Sequence, residues 1–391
     1  MKTCDALIVG GGPAGSSCAR KLSQHGMDVI VMDKAVLPRD KVCAGWITPE
    51  VVKALELDVL EYAQTRAFQP ITAFRTGLVG GDTLETRYPA PVSYGIRRCE
   101  FDDYLLQRSG AQPWLGQALK SMERDGSRWV VNDSLSTPLI IGAGGHFCPV
   151  ARYLGAKLGA EEAAVAAKEI EFEMSPAQLE HCQVEPDTPE LYFCRDFKGY
   201  GWCIRKGRHL NIGLGREGSH GLADELRQFC NSLKQRGRIP QDIPDRFHGH
   251  AYLQYGKAQR KLLDDGVLLF GDAAGLAYQH SGEGIRPAVE SGLLAAATVV
   301  EAREDYSRAS LAAYHSRLQA RFGSATPSRV TGPEFLRTVI SGALLNSRWF
   351  TRHVLLDRWF LQTHQTGLNI NASRYGRQTK ESVGVKAVIE A

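Results

Sequence analysis

Near the N-terminus a short apolar run from Asp5 to Val9 enters Gly10-Gly11-Gly12-Pro13-Ala14-Gly15, and no other segment restricts the fold as much. A helical stretch follows to about Gly26, and a second apolar run, Val29 to Met32, stops at Asp33. The order is strand, Gly-x-Gly-x-x-Gly, helix, strand, acid, which predicts a parallel βαβ unit. Each glycine has a physical task there. Gly10 permits the tight turn, Gly12 lets the backbone approach a pyrophosphate with Ala14 beside it, and Gly15 allows the helix to pack closely on the strand. The helix N-terminus adds free N–H groups and the positive end of its dipole. Asp33 stands 23 residues after Gly10, where a carboxylate accepts a ribose 2′-OH. A dinucleotide-binding domain is the expectation.

Composition excludes other classes. The 47 Lys+Arg against 43 Asp+Glu leave a net charge of +4, spread along most of the chain, so no nucleic-acid partner is expected. Nine cysteines contain no CxxC pair and no zinc-spaced Cys/His cluster. They read as reduced thiols of a cytoplasmic protein without a metal site. MKTCDALIVGGG runs into a strand with no signal-peptide architecture, and the apolar stretch Leu293 to Val300 is far too short for a bilayer. Forty glycines exceed the usual share of about 7%. That excess suits several close backbone approaches to one ligand.

The fingerprint alone does not separate FAD from NAD. Gly266-Val-Leu-Leu-Phe-Gly271-Asp272-Ala-Ala-Gly275 reads as a buried strand ending in a turn, followed by His280-Ser-Gly282-Glu-Gly284-Ile285-Arg-Pro287 and a small-residue helix. Upstream, Arg98-Cys-Glu-Phe101-Asp102-Asp-Tyr-Leu105 has an R-x-x-F-D-x-x-L pattern. Together these segments resemble the FAD-binding elements of the flavoprotein class that contains aromatic hydroxylases, halogenases and geranylgeranyl reductases. The resemblance implies that Asp272 binds the ribityl chain and that Arg98 lies along the cofactor. It also implies that the turn Gly282–Ile285 presents N–H groups to the flavin pyrimidine. The last role has an independent reason, because reduced flavin carries negative charge that a helix N-terminus stabilises.

Within that class, Pro38-Arg39-Asp40-Lys41-Val42-Cys43-Ala44-Gly45 is similar to the P-R-x-K-x-C-G-G segment of geranylgeranyl reductases, with Ala44 in place of a glycine. The resemblance puts Arg39, Lys41 and Ala44 at the cofactor edge and Cys43 next to the substrate. Gly199-Tyr200-Gly201-Trp202, followed by Asn211-Ile-Gly-Leu-Gly215, matches a second family pattern, but Ile204-Arg205 replaces its Phe-Pro pair. The halogenase W-x-W-x-I-P element lacks its first Trp and its Pro here. The run from Ile140 to Val150 has Gly144 where hydroxylases carry an Asp. The resemblance spans roughly residues 5–305.

An FAD-dependent oxidoreductase similar to geranylgeranyl reductases is therefore expected. It would deliver hydride to a double bond of a small apolar or isoprenoid substrate, with transient NAD(P)H or another redox partner as reductant. A monooxygenase and a non-enzymatic electron-transfer or binding flavoprotein are the alternatives. Cys43 is either a catalytic residue beside the reacting carbon or a small buried thiol. Tyr200 and Trp202 are either substrate-pocket lining or sheet core. His280 reads as a loop residue, and Glu283 as a turn residue whose backbone matters.

The expected architecture is α/β. It comprises a discontinuous Rossmann-like FAD-binding domain (about 1–65, 95–160 and 260–305), an inserted antiparallel-sheet substrate domain (66–94 and 161–259) and a helical C-terminal region (306–391). Residues 341–380 hold six Lys/Arg and one acid among seven large apolar side chains from Trp349 to Leu361. They read as a helix packed on the FAD domain or as a peripheral membrane contact.

Overall fold

The apolar runs Ala6–Val9, Val29–Asp33, Ile140–Gly142 and Val267–Leu269 are buried along their whole length. Strands covered on both faces read this way in a parallel sheet. A computed structural model describes residues 1–159, 162–218, 221–257, 260–323 and 344–368. In it these four strands lie parallel, in the order 267–269, 140–142, 6–9, 29–33, with Gln112–Leu115 outside the last. The short strand Leu263–Asp264 turns back antiparallel at the other edge. From Ala6–Val9 the chain proceeds to one side, and only much later places Ile140–Gly142 on the other. That reversal opens a crevice at the carboxyl ends of the two strands, where open α/β sheets bind ligands.

Two helices close one face of this sheet. Pro13–Gln24 begins with proline at its first turn, a position that needs no N–H. Ile285–Ala302 crosses it so closely that a Cβ on Gly292 would lie 2.5 Å from the Ala14 carbonyl oxygen. The small-residue composition of the later helix is thus a packing requirement.

A second sheet has seven strands in the order 248–252, 165–173, 209–217, 199–206, 190–193, 73–78, 83–87. Its pairs are antiparallel except one, since Glu190–Phe193 runs parallel to Ala73–Leu78. An antiparallel sheet was expected, and this one pair departs from it. The exception arises because the two strands come from separate parts of the chain, with no hairpin to set their direction. Alternate residues divide its faces. Ile170, Cys203, Leu210 and Ile212 pack under the helix Leu222–Gln235. Ala167, Trp202 and Ile204 face the other way, into an aromatic cluster with Trp46, Phe74 and Phe193.

The C-terminal residues 344–368 complete that cluster. A wide helical turn, Thr351–Phe360, buries Leu355, Leu356 and Phe360, and the Phe360 ring meets Tyr200 at 5.2 Å and Trp46 at 6.0 Å. The expected helix on the FAD domain is therefore corrected: this segment packs chiefly on the second sheet, because its apolar residues match the aromatic face left open there. Of its large apolar side chains, Trp349 (66% exposed) and Leu344 stay at the surface. The rest of the 341–380 stretch, 341–343 and 369–380, lies outside the described residues.

Tyr278 and Arg321 hold the C-terminal segment to the first domain through the Gln365 side chain, and a buried guanidinium holds it through the backbone. Arg286, in the first turn of Ile285–Ala302, pairs with Glu290 at 3.0 Å. It donates to the carbonyl oxygens of Gln365 (2.8 Å), Thr366 (3.3 Å) and Gln362 (3.5 Å). Arg321 shares Glu290. Replacing Arg286 by Met leaves those carbonyls without their donor and should lower stability by about 3 kcal/mol. Urea unfolding measures the loss. Limited proteolysis should show new cleavage within 344–368, and an unchanged digestion pattern would count against the tether.

Candidate active site

The crevice at the strand reversal is shaped by contacts too close for side chains. Gly10 has φ +118°, and a Cβ there would lie 2.4 Å from the Ala143 carbonyl oxygen. One on Gly15 would lie 2.0 Å from the carbonyl oxygen of Gly10. Gly15 therefore sits behind the turn and packs it. Gly12 differs, since a Cβ there meets nothing nearer than the Arg39 guanidinium at 3.8 Å. No side chain caps the helix that starts at Pro13, so its N-terminus faces the crevice unblocked.

From this turn one cavity of ≈570 Å³ runs past the other residues expected to bind cofactor or substrate. Ala14, Asp33, Arg39, Lys41, Cys43, Ala44, Arg98, Asp272, Gly282, Gly284, Ile285, Tyr200 and Trp202 all line it with Gly10 and Gly12. At its outer end Asp33 accepts the N–H groups of Gly11 (2.8 Å) and Ala35 (2.9 Å), which fix the carboxylate at the strand tip. Arg39 lies 3.8 Å from Asp33 and 3.3 Å from Asp102. Asp102 also takes a bidentate pair from Arg98 at 2.8 and 2.9 Å. This chain of alternating charges neutralises a carboxylate that is fully buried.

Midway, Lys41 Nζ lies 2.9 and 3.1 Å from the two ring nitrogens of His250, whose Nε2 is 3.5 Å from Asp272. Burial brings the Lys41 ammonium down to about 8, despite the Asp272 charge, with Arg98 and Arg39 adding to the fall. Burial likewise keeps His250 below its ordinary value. Burial alone would raise the Asp272 carboxyl, but its hydrogen bond with His250 and the nearby cations hold it low. The sequence reading missed His250 and Tyr252. Their signal was the alternation His248-Gly-His250-Ala-Tyr252, which puts three polar rings on one strand face.

At the inner end the turn before Ile285–Ala302 has Gly282 at φ +68°, where a Cβ would lie 2.1 Å from the Tyr252 hydroxyl. Gly284 caps the helix. Glu283 does more than lend its backbone: its carboxylate accepts the Arg286 N–H at 2.9 Å. Burial lifts it to about 7, and its second oxygen is buried without a protein partner among the described residues. His280 is exposed and stacks on Trp359 at 4.8 Å, outside the cavity lining.

The same cavity is lined by the aromatic side chains Trp46, Tyr200, Trp202 and Tyr252, with Cys43 the one thiol among its lining residues. Tyr200 donates to the Ser281 carbonyl oxygen at 2.6 Å, so the second sheet is fastened to the turn. Trp202 lies over Gly213, where a Cβ would be 2.1 Å from the indole. Behind Cys43 stands a buried polar group, Glu169, Glu171, Lys206 and Asn211, of which Asn211 stood in a sequence motif and none had a role assigned. Glu169 and Glu171 alternate with Ile170 and Phe172 on one strand, which was the available signal. Burial pushes the Glu169 carboxyl up to about 8, whereas Lys206, 2.8 Å away, holds Glu171 below its ordinary value in spite of burial.

The dimensions and chemistry of the cavity fit FAD. Its volume lies within the range of about 300–1,000 Å³ usual for cofactor sites. It offers an open backbone at Gly12, cations at Arg39 and Arg98, an acid at each end and an unpartnered carboxylate oxygen at the inner turn. Comparison with known proteins agrees. The sequence pattern of the family described as FAD binding domain matches residues 3–326, and the chain belongs to that family. Its relatives place it in the geranylgeranyl reductase-like branch, as an FAD-dependent oxidoreductase. A menaquinone reductase of Mycobacterium tuberculosis is 30% identical over 318 residues, covering 75% of this chain and 76% of that one. A digeranylgeranylglycerophospholipid reductase of Methanocaldococcus jannaschii is 26% identical, covering 80% and 81%. The solved structure of a geranylgeranyl bacteriochlorophyll reductase-like protein from Thermoplasma acidophilum shares the fold, with a TM-score of 0.69, 22% identity and 88% of each chain covered.

Gly12 gives a clean test of the cradle. A methyl group there has room in the protein but enters the space a pyrophosphate needs. Gly12→Ala should fold with a melting temperature near that of the parent yet bind FAD at least about tenfold more weakly. Flavin fluorescence titration of the apoprotein reads the difference, and equal affinity would place the pyrophosphate elsewhere.

Proposed function

We propose that the protein saturates a carbon–carbon double bond in an isoprenoid or similarly apolar chain. The observation that carries this reading is the aromatic wall of the cavity, with a single thiol in its lining. When bound and reduced, FAD supplies a hydride to one carbon of the bond. The residues of the chain do the rest. Gly282–Ile285 and the helix start behind them offer backbone N–H groups and a positive dipole end to the negative edge of the reduced ring. Trp46, Tyr200, Trp202 and Tyr252 hold an apolar chain and exclude water. Cys43 gives a proton to the second carbon and regains it from solvent. Two electrons and two hydrogens enter the bond, and the reductant that restores the cofactor is NAD(P)H bound in passing or a redox partner.

Under anaerobic conditions, the reduced holoenzyme with a polyprenyl substrate should yield a product heavier by two hydrogens per bond. Cys43→Ala should lower turnover by about 100-fold without changing FAD content. Mass spectrometry in air decides against the proposal if oxygen is incorporated and no bond is saturated.

We further propose that the protein meets its substrate at a membrane surface through Leu344, Trp349 and Arg348, which are exposed beside the aromatic cluster. No helix among the described residues is long and apolar enough to cross a membrane, so the contact would be peripheral. Co-sedimentation with vesicles of phosphatidylglycerol should retain the protein, and Trp349→Ala should weaken retention severalfold. Full recovery in the supernatant removes the idea.

A further inference from the structure

The loop that carries Cys43 belongs in sequence to the FAD-binding unit, but its backbone is gripped by the second sheet. The Cys43 N–H donates to Glu169 Oε1 at 2.7 Å, and its carbonyl accepts from Asn211 Nδ2 at 3.2 Å. Glu169 and Asn211 lie on adjacent strands, Val165–Glu173 and His209–Glu217, and face the same side. The amide of Asn211 is engaged at both ends, because its oxygen accepts the Trp202 indole N–H at 2.6 Å. Lys206, salt-bridged to Glu171, fills the space beneath Gly45, where a Cβ would be 2.4 Å from Nζ. The Cys43 thiol accepts the Gly45 N–H at 3.4 Å and has the Arg98 guanidinium beside it.

Apolar residues would seat a loop on a sheet at less free-energy cost than a buried carboxyl, amide and ammonium. What these polar groups add is direction, since each hydrogen bond fixes one atom of the Cys43 peptide. The geometry points to Glu169 and Asn211 as positioning residues: they hold the Cys43 peptide from both sides and tie it, through the Asn211 amide, to the Trp202 ring that lines the cavity. The inference rests on the reading of Cys43 as the group beside the reacting carbon. It adds that a substrate pressing on Trp202 is felt at Cys43 through two hydrogen bonds.

The experiment uses the FAD-loaded protein and two readouts. The first is the rate at which iodoacetamide modifies Cys43, followed by peptide mass spectrometry with Cys99, the other partly exposed thiol, as internal control. The second is kcat and KM for reduction of a polyprenyl substrate. Glu169→Ala and Asn211→Leu should change Cys43 alkylation at least about fivefold and leave Cys99 unaffected. Both should lower kcat by about tenfold or more with little change in KM, because a misplaced group acts on the reacting geometry rather than on binding. Glu169→Gln keeps an oxygen acceptor for the Cys43 N–H and should recover most of both losses. Trp202→Phe keeps the ring but not the N–H, and should change Cys43 alkylation in the same direction as Asn211→Leu. The inference is overturned if the alanine and leucine variants alkylate like the parent, or if the glutamine variant fails as fully as alanine. Alkylation needs no turnover, so it reports the clamp even if the protein reduces no double bond.

Discussion

Everything in this protein is arranged around one steric contact, the approach of the Gly10 turn to the carbonyl of Ala143 at the point where the parallel sheet reverses. A methyl group cannot be inserted there, nor between Gly15 and Gly10. These contacts pull two strand ends and a helix start into one crevice. The same close packing extends outward, since Gly292 brings the helix Ile285–Ala302 against Ala14. That helix begins at the inner end of the cavity, so one set of glycine contacts fixes both ends of the cavity.

The second sheet contributes the chemistry that the first cannot. Its face away from the helix Leu222–Gln235 supplies Trp202 and Tyr200 to the cavity, His250 to Lys41 and Asp272, and Glu169 with Asn211 to Cys43. Buried charge along this seam is paired almost throughout, as the Arg39–Asp102–Arg98 and Glu171–Lys206 contacts show. Such pairs add little net stability, but they restrict how two surfaces can fit. The position of a thiol relative to an aromatic wall is set in that way.

Residues whose role is local were legible in the sequence. Gly10, Gly12, Asp33, Asp272 and Gly282 sit in turns or strand ends whose neighbours in the chain already define the backbone path. The two sheets were legible too, because buried parallel strands run apolar and half-covered strands alternate. Glu169, Asn211, His250 and Arg286 were not legible. Each works on a partner 35 or more residues away, such as Cys43 for Glu169 and Gln365 for Arg286. An acid or amide on a strand face reads as a solvated surface until the covering segment is known. The C-terminal segment illustrates the same limit: its apolar side was visible, whereas the surface it covers depends on where the aromatic residues of four strands converge.

The bonds that span the seam, from Tyr200 to Ser281, from Lys41 to His250 and from the Cys43 peptide to Glu169 and Asn211, surround the cavity on several sides. A hinge that parted the two sheets would have to break them together, exchanging each for a bond to water. Opening along the seam is therefore a concerted event, in which the turn at Ser281, the Lys41 ammonium and the Cys43 peptide all lose their partners on the second sheet at once.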